Sequence, residues 1–132
     1  MTFLFLDDDC AARAPLGEAL ARRMGRLADA WGAGWQPNHV RREVRTVLEE
    51  EGVPTLGLVA RPPGAVPLDE VDVVIRFVPD AWSLSLREGV VSRTWAIPDP
   101  SSAPPSERLD AYRAARDEIA RRLGLLLKEI DP

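Results

Sequence analysis

Cysteine is nearly absent from this sequence, since Cys10 is the only one among 132 residues. One thiol cannot form an internal disulfide, nor a metal site made of cysteines alone. Histidine is equally scarce, and the single His39 cannot build a metal site by itself. No apolar run approaches the roughly 20 residues that cross a bilayer, and no leader segment is evident. We therefore expect a cytoplasmic protein with no membrane partner.

Lysine is the third scarce residue. The sequence has one lysine, Lys128, against sixteen arginines, which is typical of a GC-rich, bacterial-type genome. The formal net charge of −4 argues against a nucleic-acid partner. Hydrophobic and charged fractions of 45% and 29% are ordinary for a globular domain. A chain of this length buries most of its apolar surface as one unit, so we predict a single domain over residues 1–132.

Hydrophobic periodicity predicts strands that alternate with helices. Strands are predicted at Thr2–Leu6, within Ala28–Trp35, at Val71–Val78 and at Val90–Ile97. Helices are predicted at Ala14–Leu27 and from Pro37-Asn38 to Gly52, and a final helix is predicted to be capped by Ser106 with Glu107 in its first turn. This alternation predicts an α/β fold, a single three-layer domain with a four-stranded, mostly parallel sheet flanked by helices. Ligands of such sheets bind at the carboxyl ends of the strands.

The first strand runs into a short polar loop that spans Asp7–Arg13 and leads into the first helix. Backbone N–H groups and a helix N-terminus in such a loop can hold an anion. Asp7, Asp8 and Asp9 oppose that role, because like charges ~4 Å apart repel by about 4 kcal/mol at an effective dielectric constant of ~20. We expect phosphate to bind poorly here without a cation. The Asp7 carboxylate is expected to occupy the loop itself and to pair with Arg13.

Four segments resemble the low-molecular-weight protein tyrosine phosphatase superfamily, and within it the thioredoxin-coupled arsenate reductases. Trp95-Ala96-Ile97-Pro98-Asp99-Pro100 and the following Glu107–Ile119 are very similar to the family's Trp-Gly-x-Pro-Asp-Pro turn and its helix. Ala33-Gly34-x-Gln36-Pro37 is similar to the Ala-Gly-x-x-Pro after the second strand. Arg13–Leu20 resembles the segment Arg-Ser-Pro-Met-Ala-Glu-Ala-Leu. The resemblance covers nearly the whole chain and implies the phosphotyrosine phosphatase I-type fold.

The resemblance also implies a site, in which a nucleophilic cysteine begins a Cys-x5-Arg-Ser/Thr loop and an Asp-Pro aspartate is the general acid. Arg13 matches the oxyanion-binding arginine and Asp99 matches the general acid. The nucleophile position falls on Asp7, and Ala14 replaces the hydroxyl residue after the arginine. Phe77–Leu86 contains no redox cysteine pair, which excludes arsenate reduction by the family's route. These departures imply a catalytically degenerate member, a pseudoenzyme or binding module that needs no cofactor.

An active phosphatase or phosphoryl-transfer enzyme is the alternative, in two forms. In the first, Asp7 and Asp9 work with Mg²⁺ and a carboxylate accepts the phosphoryl group. Phe3–Asp9 resembles the strand-end acids of response-regulator receivers, and Asp7-x-Asp9 resembles the nucleophile motif of haloacid-dehalogenase-type phosphatases. In the second form, Cys10 acts as an off-register nucleophile, although only two residues separate it from Arg13.

The candidate ligand-binding residues come from the loop around these positions and from the connection after the third strand. They are Asp8, Asp9, Ala11, Ala12, Ala14 and Trp82. Trp82 is placed to cover the pocket or to anchor a partner. Asp99, between two prolines, is equally suited to a turn, and Arg13 to a structural pairing with the aspartates. The expected partner is a small oxyanion or another protein, and the sequence leaves the oligomeric state open.

Overall fold

Strands and helices alternate along the chain, as the periodicity predicts. The computed structural model describes residues 1–24, 29–78 and 84–130. The strands are β1 (Thr2–Asp7), β2 (Asp29–Gly34), β3 (Val73–Arg76) and β4 (Val91–Thr94). The helices are α1 (Arg13–Met24), α2 (Arg42–Glu50) and α3 (Arg108–Ile130). Short 3₁₀ turns lie at Pro63–Ala65, Leu68–Glu70 and Pro100–Ser102.

The four strands form one parallel sheet in the order β2-β1-β3-β4. β1 lies inside the sheet, where Leu4 is opposite Trp31 of β2 on one side and Val74 of β3 on the other. A strand that is paired along both edges and covered on both faces requires a continuous apolar run, which Phe3–Leu6 supplies. The predicted four-stranded, mostly parallel α/β sheet is confirmed.

Successive side chains of β1 point to opposite faces of the sheet and enter two separate cores. Phe3 and Phe5 belong to the larger core, which they share with buried residues of all three helices. Leu4 and Leu6 belong to the smaller core, which the connection between α2 and β3 covers with residues such as Val66. In the described residues, the layer on that second face consists of 3₁₀ turns and extended chain, whereas the α-helices lie on the first.

The largest difference from the predicted boundaries is at the start of α2. The sequence pattern places this start at Pro37-Asn38, but the helix begins at Arg42. The backbone N–H groups of Asn38 and Arg41 instead donate to the carbonyl oxygens of Asp9 and Ala11, over 2.8 and 2.9 Å. These bonds hold the segment extended against the β1–α1 loop, and the helix starts only after the second one.

Smaller differences concern α3 and the outer strands. α3 begins at Arg108, one residue after the predicted first turn at Glu107, because a turn comes first in which the Glu107 N–H donates to the Pro104 carbonyl over 2.9 Å. β3 and β4 have four residues each, so both are shorter than the apolar stretches that predicted them. The predicted end of α1, at Leu27, lies outside the described residues. In the part of the chain that the structure describes, no helix is both long and apolar enough to cross a membrane.

Gly17→Ala is expected to destabilise the fold, because α1 packs directly on Phe5. A Cβ at Gly17 would lie 2.4 Å from the Phe5 Cδ1 atom, in the middle of the larger core. This overpacking outweighs the gain of about 1 kcal/mol that alanine brings to a helix interior, so we expect a net loss of about 1–2 kcal/mol in the free energy of unfolding. Urea denaturation measures it.

Gly64→Ala is the matched control, since a Cβ there meets no atom within 4 Å. Its free energy of unfolding is expected to change by less than about 0.5 kcal/mol. An equal loss in both variants would show that the contact with Phe5 does not limit the residue at position 17.

Candidate functional site

The β1–α1 loop, residues 8–12, lies at the carboxyl end of β1 and is held against the segment that leads to α2. The carbonyl oxygen of Asp8 accepts a hydrogen bond from the Gln36 N–H over 2.9 Å, in addition to the two bonds that delay α2. Cys10 takes the left-handed conformation, with φ 54°, which costs about 1–2 kcal/mol for a residue with a Cβ. The loop is therefore a fixed, strained turn rather than a free connection.

Gly34, at the end of β2, makes this turn possible. A Cβ at that position would lie 2.6 Å from the Cys10 backbone nitrogen and 2.8 Å from the Asp8 carbonyl oxygen. Both atoms are backbone, so neither can move away without displacing the loop. Gly34 is also one of the residues that carries the Ala33-Gly34-x-Gln36-Pro37 resemblance, and the close approach is a physical reason for glycine there.

A buried ion pair between Asp7 and Arg13 occupies the centre of the site. The Arg13 Nε donates to Asp7 Oδ2 over 2.9 Å and the Nη2 donates to Asp7 Oδ1 over 2.7 Å, so the pair is bidentate. Asp7 is 2% exposed and Arg13 is 7% exposed. Asp7 Oδ1 also accepts the Asp8 N–H over 2.9 Å. The pairing that the sequence predicts between these two side chains is present.

The same guanidinium reaches two further strand ends. Arg13 Nη1 donates to the Ile97 carbonyl oxygen over 2.7 Å and, at 3.4 Å, to the Phe77 carbonyl oxygen. The guanidinium also lies 6.0 Å from the centre of the Phe77 ring. Each of its three nitrogens thus already donates to a protein oxygen, and the side chain joins the end of β1 to the segments that follow β3 and β4.

The electrostatics of the pair reflect its burial. Burial raises the pKa of the Asp7 carboxyl above its ordinary value, and the hydrogen bonds and charge of Arg13 oppose that rise. Burial also works to lower the pKa of the Arg13 guanidinium, but the bonds to Asp7 outweigh it and the pKa is raised. Arg13 therefore stays protonated and provides the positive charge that offsets Asp7.

Cys10 points into the larger core and away from solvent. Its side chain is 1% exposed and belongs to the same core cluster as Phe5 and Leu16. Burial raises the pKa of the thiol to about 11, although a hydrogen bond from the Arg61 backbone partly opposes the rise. A thiol in this environment is protonated at neutral pH, and the thiolate is the nucleophilic form.

The other acids of the loop do not converge on one point. Asp8 is exposed, while Asp9 is half-buried and its Oδ1 accepts the Ala11 N–H over 3.1 Å. Ala11, Ala12 and Ala14, predicted to line a ligand, have buried side chains. Within residues 1–24, 29–78 and 84–130, no three or more His, Cys, Asp or Glu side chains are placed to hold a metal ion.

Asp99 lies near the ion pair but is engaged in its own turn. Its Oδ1 accepts the Ser101 N–H over 3.0 Å and the Ser101 hydroxyl over 2.7 Å, which caps the 3₁₀ turn Pro100–Ser102. Its charge makes a small contribution to the raised pKa of Asp7. Trp82, the aromatic residue predicted to cover the site, lies outside the described residues.

Sequence reasoning missed a second buried ion pair beneath the loop. Glu18 is 1% exposed, and its Oε1 accepts the Gly32 N–H over 2.7 Å and the Arg61 Nη1 over 2.6 Å. Arg61 also donates to the Gly32 carbonyl oxygen over 2.9 Å and lies 5.2 Å from the centre of the Trp31 ring. The signal available in the sequence was Glu18 alone, an acid one helical turn after Ala14 on a face that is otherwise apolar.

The sequence and the fold of this chain were compared with those of known proteins, and one family model matches the sequence. The sequence model described as low molecular weight phosphotyrosine protein phosphatase matches residues 2–132. No curated protein gives a significant match. A solved structure of an arsenate reductase in the phosphate binding state is 22% identical, with a TM-score of 0.82 and 98% of each chain covered. The arsenate reductase of Archaeoglobus fulgidus DSM 4304 is 21% identical, with a TM-score of 0.72, covering 92% of this chain and 98% of that one.

A mutant of YwlE from Bacillus subtilis is similar as well. It is 20% identical, with a TM-score of 0.78, and the match covers 100% of this chain and 99% of that one. At these identities the likeness to the solved structures shows the fold. The match to the family model covers almost the entire sequence and confirms the resemblance to this family.

Cys10 is expected to resist alkylation by iodoacetamide in the folded protein. Its pKa of about 11 against an ordinary value of 9.0 lowers the thiolate fraction roughly 100-fold at pH 8, and burial slows the reaction further. The rate is followed by mass spectrometry, with the protein unfolded in urea as the control. Alkylation that is as fast in the folded protein, or that titrates near neutral pH, would contradict this assignment.

Proposed function

We propose that this chain, which belongs to the low molecular weight phosphotyrosine protein phosphatase family, is a catalytically degenerate member that acts as a binding module. The bidentate Asp7–Arg13 pair is the observation that carries the proposal. By the family resemblance, Arg13 stands at the position of the oxyanion-binding arginine and Asp7 at the position of the nucleophile. The pair therefore joins the two side chains that an active member would present to its substrate.

A phosphate group has two ways to enter this loop, and both are unfavourable. Beside Asp7 it meets a carboxylate, which costs about 4 kcal/mol for unit charges ~4 Å apart at an effective dielectric constant of ~20. In place of Asp7 it separates a buried ion pair, which costs about 3–5 kcal/mol when one partner is left alone. The carboxylate is part of the chain, so it competes without any loss of translational freedom. These costs support a loop that is closed to oxyanions by its own side chain.

The groups available for catalysis are engaged elsewhere. The Asp7 carboxylate is held by Arg13 through two hydrogen bonds, which withdraw the electron density that a nucleophile needs. Asp99, at the position of the general acid, accepts two hydrogen bonds from Ser101. The Cys10 thiol is protonated and buried. Their arrangement supports the loss of the phosphatase reaction.

The proposed partner is another protein or a small oxyanion, while the net charge of −4 disfavours nucleic acid. No metal or other cofactor is assigned to the loop, because Arg13 already offsets the charge of Asp7. We also propose a cytoplasmic location. Proteins of oxidising compartments are often stabilised by disulfides, and a chain with one cysteine cannot form an internal one.

Hydrolysis of p-nitrophenyl phosphate is expected to stay at the buffer rate, both with and without Mg²⁺. Absorbance of the released nitrophenolate measures it. Turnover that requires Mg²⁺ would overturn the proposal in favour of an enzyme that uses Asp7 and Asp9. Turnover without metal that disappears on alkylation would overturn it in favour of Cys10.

Asp7→Asn is expected to open the loop to phosphate. The substitution keeps the shape of the side chain, removes the charge that repels an oxyanion, and leaves Arg13 without its counter-ion. We expect the free energy of unfolding to fall by about 3 kcal/mol, and phosphate to bind at least about tenfold more tightly than in the wild type. Amide chemical shifts of residues 8–13 measure the affinity, so that binding elsewhere on the protein is not counted.

Asp8→Asn is the matched control, since it removes the same charge from an exposed side chain one residue away. The affinity of the Asp8→Asn loop for phosphate is expected to equal that of the wild-type loop within about twofold. A wild-type loop that binds phosphate as tightly as Asp7→Asn would show that the Asp7–Arg13 pair does not close the site.

A further inference from the structure

A cleft of about 620 Å³ lies beside the loop but outside it. It is bounded by the N-terminus of α2 on one side, and by the 3₁₀ turn after Asp99 and the start of α3 on the other. The residues that matter for its chemistry are Arg41, Arg42, Glu43, Ser101, Arg108 and Tyr112. We call it the arginine cleft. None of its lining residues belongs to the Asp7–Arg13 loop, although the Arg41 N–H bonds to the Ala11 carbonyl oxygen over 2.9 Å.

The Tyr112 hydroxyl is the first observation that points to a ligand. Tyr112 is fully buried, with 0% of its surface exposed, and it lines the inner wall of the arginine cleft. Its hydroxyl has no hydrogen-bond partner among the described residues. Buried polar groups in proteins are nearly always paired, and a phenylalanine would fill the same part of the core without an unpaired hydroxyl. A ligand oxygen in the cleft would satisfy this group.

The hydroxyl is available as a hydrogen-bond donor at neutral pH. Burial raises the pKa of Tyr112 to about 12, with further contributions from the charges of Glu43 and Asp99. Arg41 and Arg108 oppose the rise, which places both guanidinium groups near the ring. The hydroxyl therefore keeps its proton, and charges of both signs lie near it.

The charges of the cleft are the second observation. Arg41 and Arg42 are exposed, and in the described part of the chain no carboxylate forms an ion pair with either guanidinium. This contrasts with Arg13, Arg61 and Arg116, each of which is paired. Arg108 is fixed at the wall, where it donates to the Ala103 carbonyl oxygen over 3.2 and 3.0 Å.

The N-terminus of α2 adds to the same field. Arg41 is the N-cap residue, and no side chain caps the helix there. The Val44 N–H donates to the Arg41 carbonyl oxygen over 3.1 Å, which leaves the Arg42 and Glu43 N–H groups of the first turn without a side-chain cap among the described residues, and the helix dipole favours an anion at this end. Among the described residues, Glu43 is the one carboxylate that lines the cleft, against three guanidinium groups. The balance is positive, in a protein whose net charge is −4.

We propose that the arginine cleft binds a small sugar phosphate. Its phosphate lies at the N-terminus of α2 beside Arg41 and Arg42, and the Tyr112 hydroxyl donates to an oxygen of the ligand. The volume exceeds what a phosphate ion fills and lies in the range of small-molecule sites. The Glu43 carboxylate and the Ser101 hydroxyl oxygen, whose proton is donated to Asp99, supply acceptors for the hydroxyl groups of a sugar. The proposal does not depend on whether the Asp7–Arg13 loop is catalytic.

Titration of the wild-type protein with ribose 5-phosphate, followed by amide chemical shifts, tests the proposal. We expect saturable shifts at Arg42, Glu43 and Ser101, weaker binding of inorganic phosphate at the same amides, and no shifts with ribose. The absence of shifts at these residues would overturn the proposal and leave Tyr112 satisfied by water alone. Shifts confined to the loop residues 8–13 would overturn it as well.

Two sets of variants separate a ligand site from a structural tyrosine. Tyr112→Phe is expected to weaken binding about tenfold while the free energy of unfolding stays equal or rises, because the ring remains and the unpaired hydroxyl is removed. The double variant Arg41→Gln, Arg42→Gln is expected to weaken binding at least about tenfold, and Glu43→Gln to tighten it.

Arg121→Gln is the matched control, because it removes one exposed positive charge from the far part of α3, where Arg121 pairs with Glu118. Its affinity for ribose 5-phosphate is expected to equal that of the wild type. Unchanged affinity in Tyr112→Phe would overturn the role of the hydroxyl. Equal losses of affinity for ribose 5-phosphate in the double variant and in Arg121→Gln would show that binding depends only on the overall charge of the protein, and would overturn the proposal.

Discussion

The ion pair between Asp7 and Arg13 organises the carboxyl edge of the sheet. Its two hydrogen bonds tie the last residue of β1 to the first residue of α1, and Arg13 then extends to the carbonyl oxygens of Phe77 and Ile97. A buried pair of this kind contributes little net stability compared with apolar residues, but it is costly to break once formed. The loop is therefore fixed by a contact that also uses the donors an oxyanion would need.

The scaffold around this pair keeps the requirements of an anion-binding turn, although the chemistry inside it differs. Gly34 leaves room for the backbone of the loop, and Cys10 adopts the left-handed conformation that closes it. Beneath the loop, Glu18 and Arg61 join α1 to the end of β2. These contacts do not depend on which side chain stands at position 7. The family fold can therefore be kept without the side chain that the family reaction needs.

Positive charge is distributed differently in the loop and in the arginine cleft. Arg13 is neutralised by a carboxylate from its own loop, whereas Arg41 and Arg42 stand at an uncapped helix N-terminus without a carboxylate partner in the described residues. Unpaired guanidinium groups beside a buried, unpaired hydroxyl are the kind of arrangement that a ligand completes. The proposed anion site of this chain is therefore the arginine cleft, which lies next to the family's loop.

The sequence by itself determined the α/β alternation and the parallel sheet, because the spacing of apolar residues along each element is a local property. It also determined the Asp7–Arg13 pair, because the two residues are six positions apart in one strand–loop–helix turn that brings their side chains together. It placed the start of α2 too early, since the bonds from Asn38 and Arg41 to the loop join segments about 30 residues apart. Only the tertiary structure decided the Glu18–Arg61 pair and the placement of Arg41 and Tyr112 along one cleft. Both arrangements involve residues that are far apart in the chain, and local spacing carries no information about which distant side chains the packing of helices on a sheet will bring together.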